Sequence, residues 1–478
     1  MNKAIFLSSN KDKVTEIKRI FKKLDNEKGK FEIIELPEEV KIYDLQTQKL
    51  KKLIDNKIIE GYKLYKRPVI AEHTVLKIHA LRDYPNTQTE FFVSSLHYDG
   101  ICNIMKSYKD KRTEVETIIA YCNGKKIYYG IGKTKGKIAD IPKGKCKFGW
   151  DNIFIPEGSD KTLAELNEEE MDTYSTRYKA AEELYSQIEK VDDNDETIGI
   201  KDEVIDRIAN RILKKKLVLF IGAGMSNNIG APTWNELIEH LSINNDCDFG
   251  VSSLLGNNLE LAEYFTCYYD SCKNEKAVLK EVANIFDEDY NELKSSEIYK
   301  MLVSLNVDTI YTTNYDRILE KAYEIHSSKK AETICSLQSL SKSDPDKVHI
   351  VKFHGDIKEP ENLVLTQSSY YKRYDFENAL DILLRKDLLT KSFLFLGYGF
   401  GDNNLKYMFY KLNTLWTNVE GSENRPDSYM FLTENNPVQR KILEDKYKIT
   451  TIVSEELDKG KAVGEFLEKL NEAIRRKS

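Results

Sequence analysis

None of the seven cysteines, at positions 102, 122, 146, 247, 267, 272 and 335, belongs to a Cys-x-x-Cys pair. Neither a zinc site nor a disulfide framework is therefore expected, and the thiols read as reduced. No apolar run approaches the roughly 18 residues that a membrane span needs. The first residues, Met-Asn-Lys-Ala-Ile-Phe-Leu, continue into polar sequence without the layout of a signal peptide. Basic charge is not in excess, with 72 Lys and Arg against 78 Asp and Glu and a net charge of −6, so no surface advertises nucleic acid. Ten prolines and 23 glycines leave little for low-complexity linkers, and no internal repeat is visible. A mildly acidic cytoplasmic chain with neither membrane nor nucleic acid as partner is expected. Its 478 residues suffice for two or three domains.

What is present centres on Leu217 to Ser226, Leu-Val-Leu-Phe-Ile-Gly-Ala-Gly-Met-Ser. Five apolar residues before Gly222 suit a parallel strand covered on both faces. The glycine turn after it would let backbone N–H groups approach a pyrophosphate. Ser226 and Asn227 are candidate caps, but Gly230 and Pro232 interrupt, so a regular helix is expected from Thr233 or Asn235 through Leu241. Taken alone, Gly-x-Gly-x-Ser fits any tight strand-to-helix turn equally well.

Residues 1–188 read as an α/β domain. Ala4–Leu7 is a strand, followed by the polar turn Ser8-Ser-Asn-Lys-Asp-Lys13 and a helix with Val14, Ile17, Ile20 and Phe21 on one face. Ile33–Leu36 and Pro68–Ala71 are further strands, the latter ending at Glu72-His-Thr, with a helix over Leu45–Ile59 between them. Functional groups are expected at the carboxyl ends of these strands. Glu116–Cys122 and Lys126–Ile131 form a hairpin around Asn123-Gly124. The segment Phe148-Gly-Trp-Asp151 and a helix containing Ser175-Thr-Arg177 follow.

These blocks resemble the inosine-triphosphate pyrophosphatases, which hydrolyse non-standard purine nucleoside triphosphates such as ITP, dITP and XTP. Ser8-Ser-Asn10-Lys-Asp-Lys13 is similar to the family's Thr-Gly-Asn-x-x-Lys phosphate loop. The resemblance implies that Ser8, Asn10 and Lys13 meet the triphosphate, that Phe148, Trp150, Asp151 and Arg177 form the base pocket, and that Glu38 and Glu72 serve magnesium. The chain departs from the family where an acidic pair becomes Glu72-His73, where Ser-His-Arg becomes Ser175-Thr176-Arg177, and where a Lys becomes Met171. The glycine turn usual after the Asp-Ala-Leu-like segment is replaced as His79-Ala-Leu runs into Arg82-Asp-Tyr-Pro. Imidazole is a poor ligand for a hard oxygen-seeking cation. This domain is expected to bind its nucleotide rather than cut it.

Residues 189–201, which open with the acidic run Glu189-Lys-Val-Asp-Asp-Asn-Asp-Glu-Thr197, read as a solvated linker. The second domain, 202–478, opens with a helix over Asp202–Lys215. Leu237 to Leu305 is patterned as a helical insertion. Strands over Val307–Tyr311, His349–Phe353 and Ser392–Leu396 deliver Thr312-Thr-Asn314-Tyr-Asp316, His354-Gly-Asp356 and Gly397-Tyr-Gly-Phe-Gly-Asp402. Tyr429–Leu432 and Tyr447–Val453 close the sheet. Together with the first glycine turn, four strands place polar clusters where an open parallel sheet binds its ligand.

That set resembles the sirtuin-like domains over roughly Ile205–Ile452. The protein deacylases among them hold zinc through two Cys pairs, which this chain lacks. The resemblance is therefore to the zinc-free bacterial domains that destroy NAD during defence against phage. It implies Asn314 and His354 as the catalytic pair. Gly222, Ala223, Gly224, Ser226, Asp316, Gly397 and Asp402 would line the site for NAD, which is substrate rather than resident cofactor. It also implies a homo-oligomer and allows a further defence-system protein as partner. The expected whole is an α/β protein in which a purine nucleotide such as dITP or ITP, held by the first domain, switches on conversion of NAD to nicotinamide and ADP-ribose. The alternative is an active pyrophosphatase whose second domain binds NAD or ADP-ribose as a regulatory module.

Overall fold

Continuous apolar strands need cover on both faces, and helices of alternating partners supply it. The computed structural model describes residues 2–25, 31–36, 44–145, 149–189, 198–243, 248–270, 276–286, 290–373, 377–416 and 425–478. The chain divides into two units, Met1–Glu196 with Glu434–Pro437, and Thr197–Thr433 with Val438–Ser478. Each unit carries one seven-stranded sheet. The acidic stretch read as a linker over 189–201 falls mostly on 190–197, outside the described residues.

The first unit contains β1 (Asn2–Phe6), β2 (Phe31–Ile34), β3 (Val69–Ile78), β4 (Tyr84–Asn86), β5 (Arg112–Cys122), β6 (Ile127–Ile138) and β7 (Phe154–Pro156). Their order is β2-β1-β3-β5-β6-β7, with β4 on β3. β1 runs parallel to β2 and β3, and the longer pairs β3–β5 and β5–β6 are antiparallel. Asn10 caps the helix Lys11–Leu24, accepting from the N–H groups of Asp12 (3.0 Å) and Lys13 (3.1 Å). The predicted face of that helix, Val14, Ile17, Ile20 and Phe21, is buried.

One expectation is corrected here. β3 does not stop at Ala71 but runs on to Ile78, pairing Glu72 with Ile119 and His73 with Ile118. The polar triplet Glu72-His-Thr looks like a strand end in sequence, yet the ladder with β5 continues through it. β1 ends sooner, its last pair with β3 being Phe6 and Ile70. Glu72 therefore stands just past the parallel pairing while still inside a strand.

The second unit contains β8 (Leu217–Ile221), β9 (Thr309–Thr312), β10 (Ala331–Ile334), β11 (Val348–Lys352), β12 (Ser392–Leu396), β13 (Ser428–Leu432) and β14 (Ile449–Val453). All pairs are parallel, in the order β10-β11-β9-β8-β12-β13-β14. The sequence order reverses at β8, which lies between β9 and β12, so the gap between β8 and β12 is the topological switch point. Leu217, Leu219, Ile221, Leu394 and Leu396 enter one core with the helices Asp202–Leu213 and Lys459–Lys477. Val218, Phe220, Phe393 and Phe395 enter the other with Ala379–Thr390 and Asn403–Trp416. Every residue of β8 and β12 is buried, at about 1.5–3 kcal/mol for each large apolar side chain.

The region expected to be helical forms several helices, and Leu237, Leu241, Phe265, Val282 and Phe286 make a third core with Tyr315, Ile357 and Leu365. This packs the helical insertion over the loops that follow β9 and β11. A second correction concerns the first glycine turn. A short helix, Ala223–Asn227, begins directly after Gly222, with Ser226 inside it rather than capping a later one. The regular helix follows at Trp234–Ile243.

Candidate active site

Parallel register brings the polar clusters of the second unit to one level. Ile221 pairs with Thr312 and Leu396, and Thr312 pairs with Lys352. Asn314 and His354 each lie two residues beyond the Thr312–Lys352 pair, past the ends of the adjacent strands β9 and β11. Both side chains are buried.

Asn314 is fixed from two sides. Its backbone N–H donates to Thr312 Oγ1 at 3.0 Å, and its Nδ2 donates to Ser226 Oγ at 2.9 Å. Ser226 in turn donates to Asp316 Oδ2 at 2.9 Å, and Asp316 Oδ1 accepts the Ile318 N–H at 3.0 Å. With Nδ2 committed, Oδ1 of Asn314 is the atom suited to orient a water. Burial pushes the Asp316 carboxyl above its ordinary value, against the pull of Lys352.

His354 Nε2 lies 2.8 Å from Asp402 Oδ2, both side chains being buried. The Tyr370 hydroxyl is 3.4 Å from Nδ1, and its ring meets the imidazole edge to face at 5.1 Å. Burial and the Asp402 charge push the Tyr370 phenol well above its usual range, so it keeps its proton.

The glycine turns pack on each other. Gly222 N–H donates to Leu396 O (3.0 Å), Gly224 N–H to Gly397 O (2.9 Å) and Met225 N–H to Gly222 O (3.0 Å). A Cβ on Gly222 would lie 2.5 Å from Gly397 O and 2.6 Å from Tyr398 Cα. Gly397 has φ +61°, a left-handed conformation that glycine adopts without strain. The N–H groups of Gly222 and Gly224 thus already have backbone acceptors across the switch point. The absent side chains serve close approach of two turns.

Sequence reasoning missed Lys352, whose ammonium is fully buried. It reaches Asp356 Oδ2 (2.9 Å), Glu320 Oε1 (3.2 Å) and the carbonyls of Tyr315 (3.2 Å) and Asp316. Arg317 adds an ion pair to Asp356 at 2.8 Å. Lys352 therefore ties the end of β11 to the loop carrying Asn314. The signal available was a single cation inside the apolar run His-Ile-Val-Lys-Phe.

In the first unit, the structure brings Lys13, Glu72 and Arg177 together. Glu72 Oε2 is 3.4 Å from Lys13 Nζ, while Oε1 accepts from Arg177 Nη2 at 3.2 Å and from Thr74. Arg177 also pairs with Glu16, a residue that sequence reasoning did not single out. Burial opposes the charge on Glu72, but Arg177 and Lys13 outweigh it and hold the carboxyl well below its ordinary value. Asp151 is buried, and among the described residues its Oδ2 has no hydrogen-bond partner. Burial first, then the Glu16 charge, pushes its carboxyl up to about 7, against Arg177. Burial lowers the pKa of His73, whose Nδ1 lies 3.7 Å from Asp44 Oδ2. Asn10 accepts N–H bonds as a helix cap and its own N–H donates to Ser8 Oγ at 3.2 Å. Trp150 is half-buried beside the core of Ile153 and Phe154. Phe148 and Glu38 lie outside the described residues. Among the described residues no group of three or more His, Cys, Asp and Glu is arranged to hold a metal. Glu72, engaged by two cations, is poorly suited to magnesium by itself.

The profile of the Ham1 family matches residues 4–187, and that of the SIR2-like domain matches 308–452. A dITP/XTP pyrophosphatase of Saccharolobus solfataricus is 32% identical over 188 residues, which cover 38% of this chain and 94% of that protein. The NAD(+) hydrolase ThsA of Enterococcus faecium is 34% identical over 211 residues, covering 43% of this chain and 42% of the relative. The ThsA of Bacillus cereus is 28% identical over 233 residues, 47% of each. The chain thus spans less than half the length of these NAD hydrolases. No described helix is long and apolar enough to cross a membrane.

Proposed function

We propose, for a chain that belongs to the Ham1 family through residues 4–187 and carries a SIR2-like domain at 308–452, that the second unit hydrolyses NAD at Asn314 and His354 and that the first unit switches this on by binding a non-standard purine nucleotide. The observation that carries the reading is the pair of buried side chains, Asn314 on Ser226 and His354 on Asp402, at matched positions past the ends of β9 and β11. The names of the ThsA relatives support NAD as substrate, and that of the pyrophosphatase supports dITP or XTP as the nucleotide class. The biological setting we propose is defence against phage, with the chain working as a homo-oligomer.

Cleavage of the nicotinamide glycosidic bond builds oxocarbenium character at the ribose, and the leaving nicotinamide already carries positive charge. No general acid is needed to expel it. What the protein supplies is a held water and a base. Asn314 orients the water through its side-chain carbonyl, and His354 takes the proton that the water loses as its oxygen bonds to the ribose carbon. In this reading Gly222, Ala223, Gly224, Gly397 and Asp316 border the bound NAD.

In the first unit the ionic cluster argues for binding without cutting. Glu72 is held by Lys13 and Arg177, and an imidazole stands where the family's second carboxylate would be. For the nucleotide to shift NAD hydrolysis by two to three orders of magnitude it must favour the active arrangement by about 3 to 4 kcal/mol. The test is the purified chain with NAD, with and without dITP or ITP, reading both nicotinamide and pyrophosphate. Nicotinamide released only with the nucleotide, and no pyrophosphate, is the expected result. Steady pyrophosphate release with NAD untouched would sink the reading in favour of an active pyrophosphatase.

A further inference from the structure

We infer that Asp402 is a positioning residue: it holds His354 protonated on Nε2, and so makes Nδ1 the atom that accepts the proton when NAD is cleaved. The inference rests on the NAD reading for its chemistry and moves Asp402 from the ligand's lining to the histidine behind it.

Two contacts lock the carboxylate. Oδ1 accepts the Leu405 N–H at 2.9 Å and so caps the first turn of the helix Asn403–Trp416, while Oδ2 stands 2.8 Å from His354 Nε2. Rotating the carboxylate away from the imidazole would break the cap, so the helix terminus fixes the direction of the acceptor. Burial alone would favour the neutral acid. The His354 contact and the N–H groups of Leu405 and Asn404 outweigh burial and hold Asp402 below the ordinary carboxyl value. Nε2 and Oδ2 stand in ion-pair contact off the axis of a formed hydrogen bond, and an acceptor-only carboxylate at that distance favours the tautomer with its proton on Nε2. A neutral His354 then has its lone pair on Nδ1. That nitrogen faces the Tyr370 hydroxyl, which at 3.4 Å marks the direction from which a donor arrives.

A water O–H bond breaks and its proton goes to Nδ1. The water oxygen bonds to the ribose carbon. The glycosidic bond breaks with its electron pair staying on the pyridine nitrogen, releasing neutral nicotinamide. Nothing is oxidised or reduced. The imidazolium that forms is stabilised by the Asp402 carboxylate until its Nδ1 proton passes to solvent.

Asp402→Asn separates positioning from structure. The amide oxygen can keep the cap on Leu405, but the amide nitrogen then turns its hydrogens toward His354 Nε2. Nε2 must become the acceptor and Nδ1 the protonated atom, which cannot take a proton from water. An inverted tautomer of this kind costs on the order of 10⁴ in kcat in a serine protease. For Asp402→Asn we expect kcat to fall by at least about 10²-fold with KM within about twofold. Nitrogen-15 NMR of labelled histidine, with the His354 signals assigned by their loss in His354→Ala, should show Nε2–H in the unsubstituted protein and Nδ1–H in Asp402→Asn. The proposal is overturned if Asp402→Asn keeps its kcat, if the change falls on KM alone as for a residue touching NAD, or if the unsubstituted protein already carries its proton on Nδ1. The tautomer is read without NAD. A chain that never releases nicotinamide would therefore defeat the NAD reading, while the NMR result would still decide whether Asp402 sets the histidine.

Discussion

Each unit places a histidine near an aspartate, and the two pairs could hardly differ more. His73 Nδ1 stands 3.7 Å from the carboxylate of Asp44, whose side chain is 40% exposed. His354 Nε2 stands 2.8 Å from the carboxylate of Asp402, 5% exposed. Two unit charges about 4 Å apart attract by about 1 kcal/mol at the dielectric of water and about 4 kcal/mol at the effective value of a protein interior. The exposed aspartate can therefore do little for His73, and burial lowers the pKa of that imidazole in spite of it. The buried one directs His354. Charge in the first unit is gathered elsewhere, on Glu72, Arg177, Glu16 and Lys13, where cations and carboxylates compensate one another. A cluster that satisfies itself suits recognition of an anion that enters and competes for Lys13. A cluster with an oriented imidazole lone pair suits proton transfer.

The sharpest way to break this contrast is to remove each histidine. His354→Ala is expected to lower nicotinamide release by roughly 10³-fold or more, as is Asn314→Ala, with nucleotide binding to the first unit unchanged in calorimetry. Histidine 73 replaced by Ala should leave NAD loss within about twofold. An active His354→Ala protein, or an inactive His73→Ala protein that still folds, would reverse the assignment of roles.

The second test concerns the compensated cluster. Glu72→Gln leaves Arg177 and Lys13 buried or half-buried without their shared partner, and loss of one member of a buried ion pair costs about 3–5 kcal/mol. Because the fold lowers the Glu72 pKa, its contribution is fully present above the unfolded value near 4.5 and is lost as the pH falls through and below it. Denaturant melts at pH 7 and pH 4 should therefore show a large Glu72→Gln deficit at pH 7 that shrinks at pH 4. A deficit that grows between pH 7 and pH 4 would contradict the lowered value.

The smallest expected effect has the opposite sign with pH. The fold raises the Asp151 carboxyl from 3.8 to about 7, so its contribution is full below 3.8 and is lost as the pH rises through about 7. Above that the fold carries a buried carboxylate whose charge burial and Glu16 both oppose. Asp151→Asn should therefore raise the melting temperature by several degrees at pH 8 and change it little at pH 5. A stabilisation confined to pH 5 would contradict the raised value.

Much of this was legible in the sequence, for identifiable reasons. β8 and β12 were read to the residue because burial on both faces writes an uninterrupted apolar run. β10 was missed, since an edge strand of four residues, Ala-Glu-Thr-Ile, buries only Ile334. β3 was cut short because Glu72, His73 and Thr74 break its apolar run while its ladder to β5 depends only on backbone. Asn314 and His354 were readable as residues delivered by strands to the binding edge. Which atom of His354 is held, and by what, was not readable. The pairing with Asp402 joins segments 48 residues apart and depends on where the helix Asn403–Trp416 begins. Lys352 was hidden by its charge, because a lysine in sequence reads as surface until the carboxylates that surround it are seen.

The seam between the two glycine turns has a consequence for how this chain can vary. Every other amino acid adds at least one carbon, and at Gly222 and Gly397 that carbon falls on backbone atoms of the opposite turn. Backbone cannot swing aside as a side chain can. The switch point is thus written in a one-letter alphabet, and whatever distinguishes this chain's chemistry from that of other parallel sheets must be spelled by the side chains around the seam.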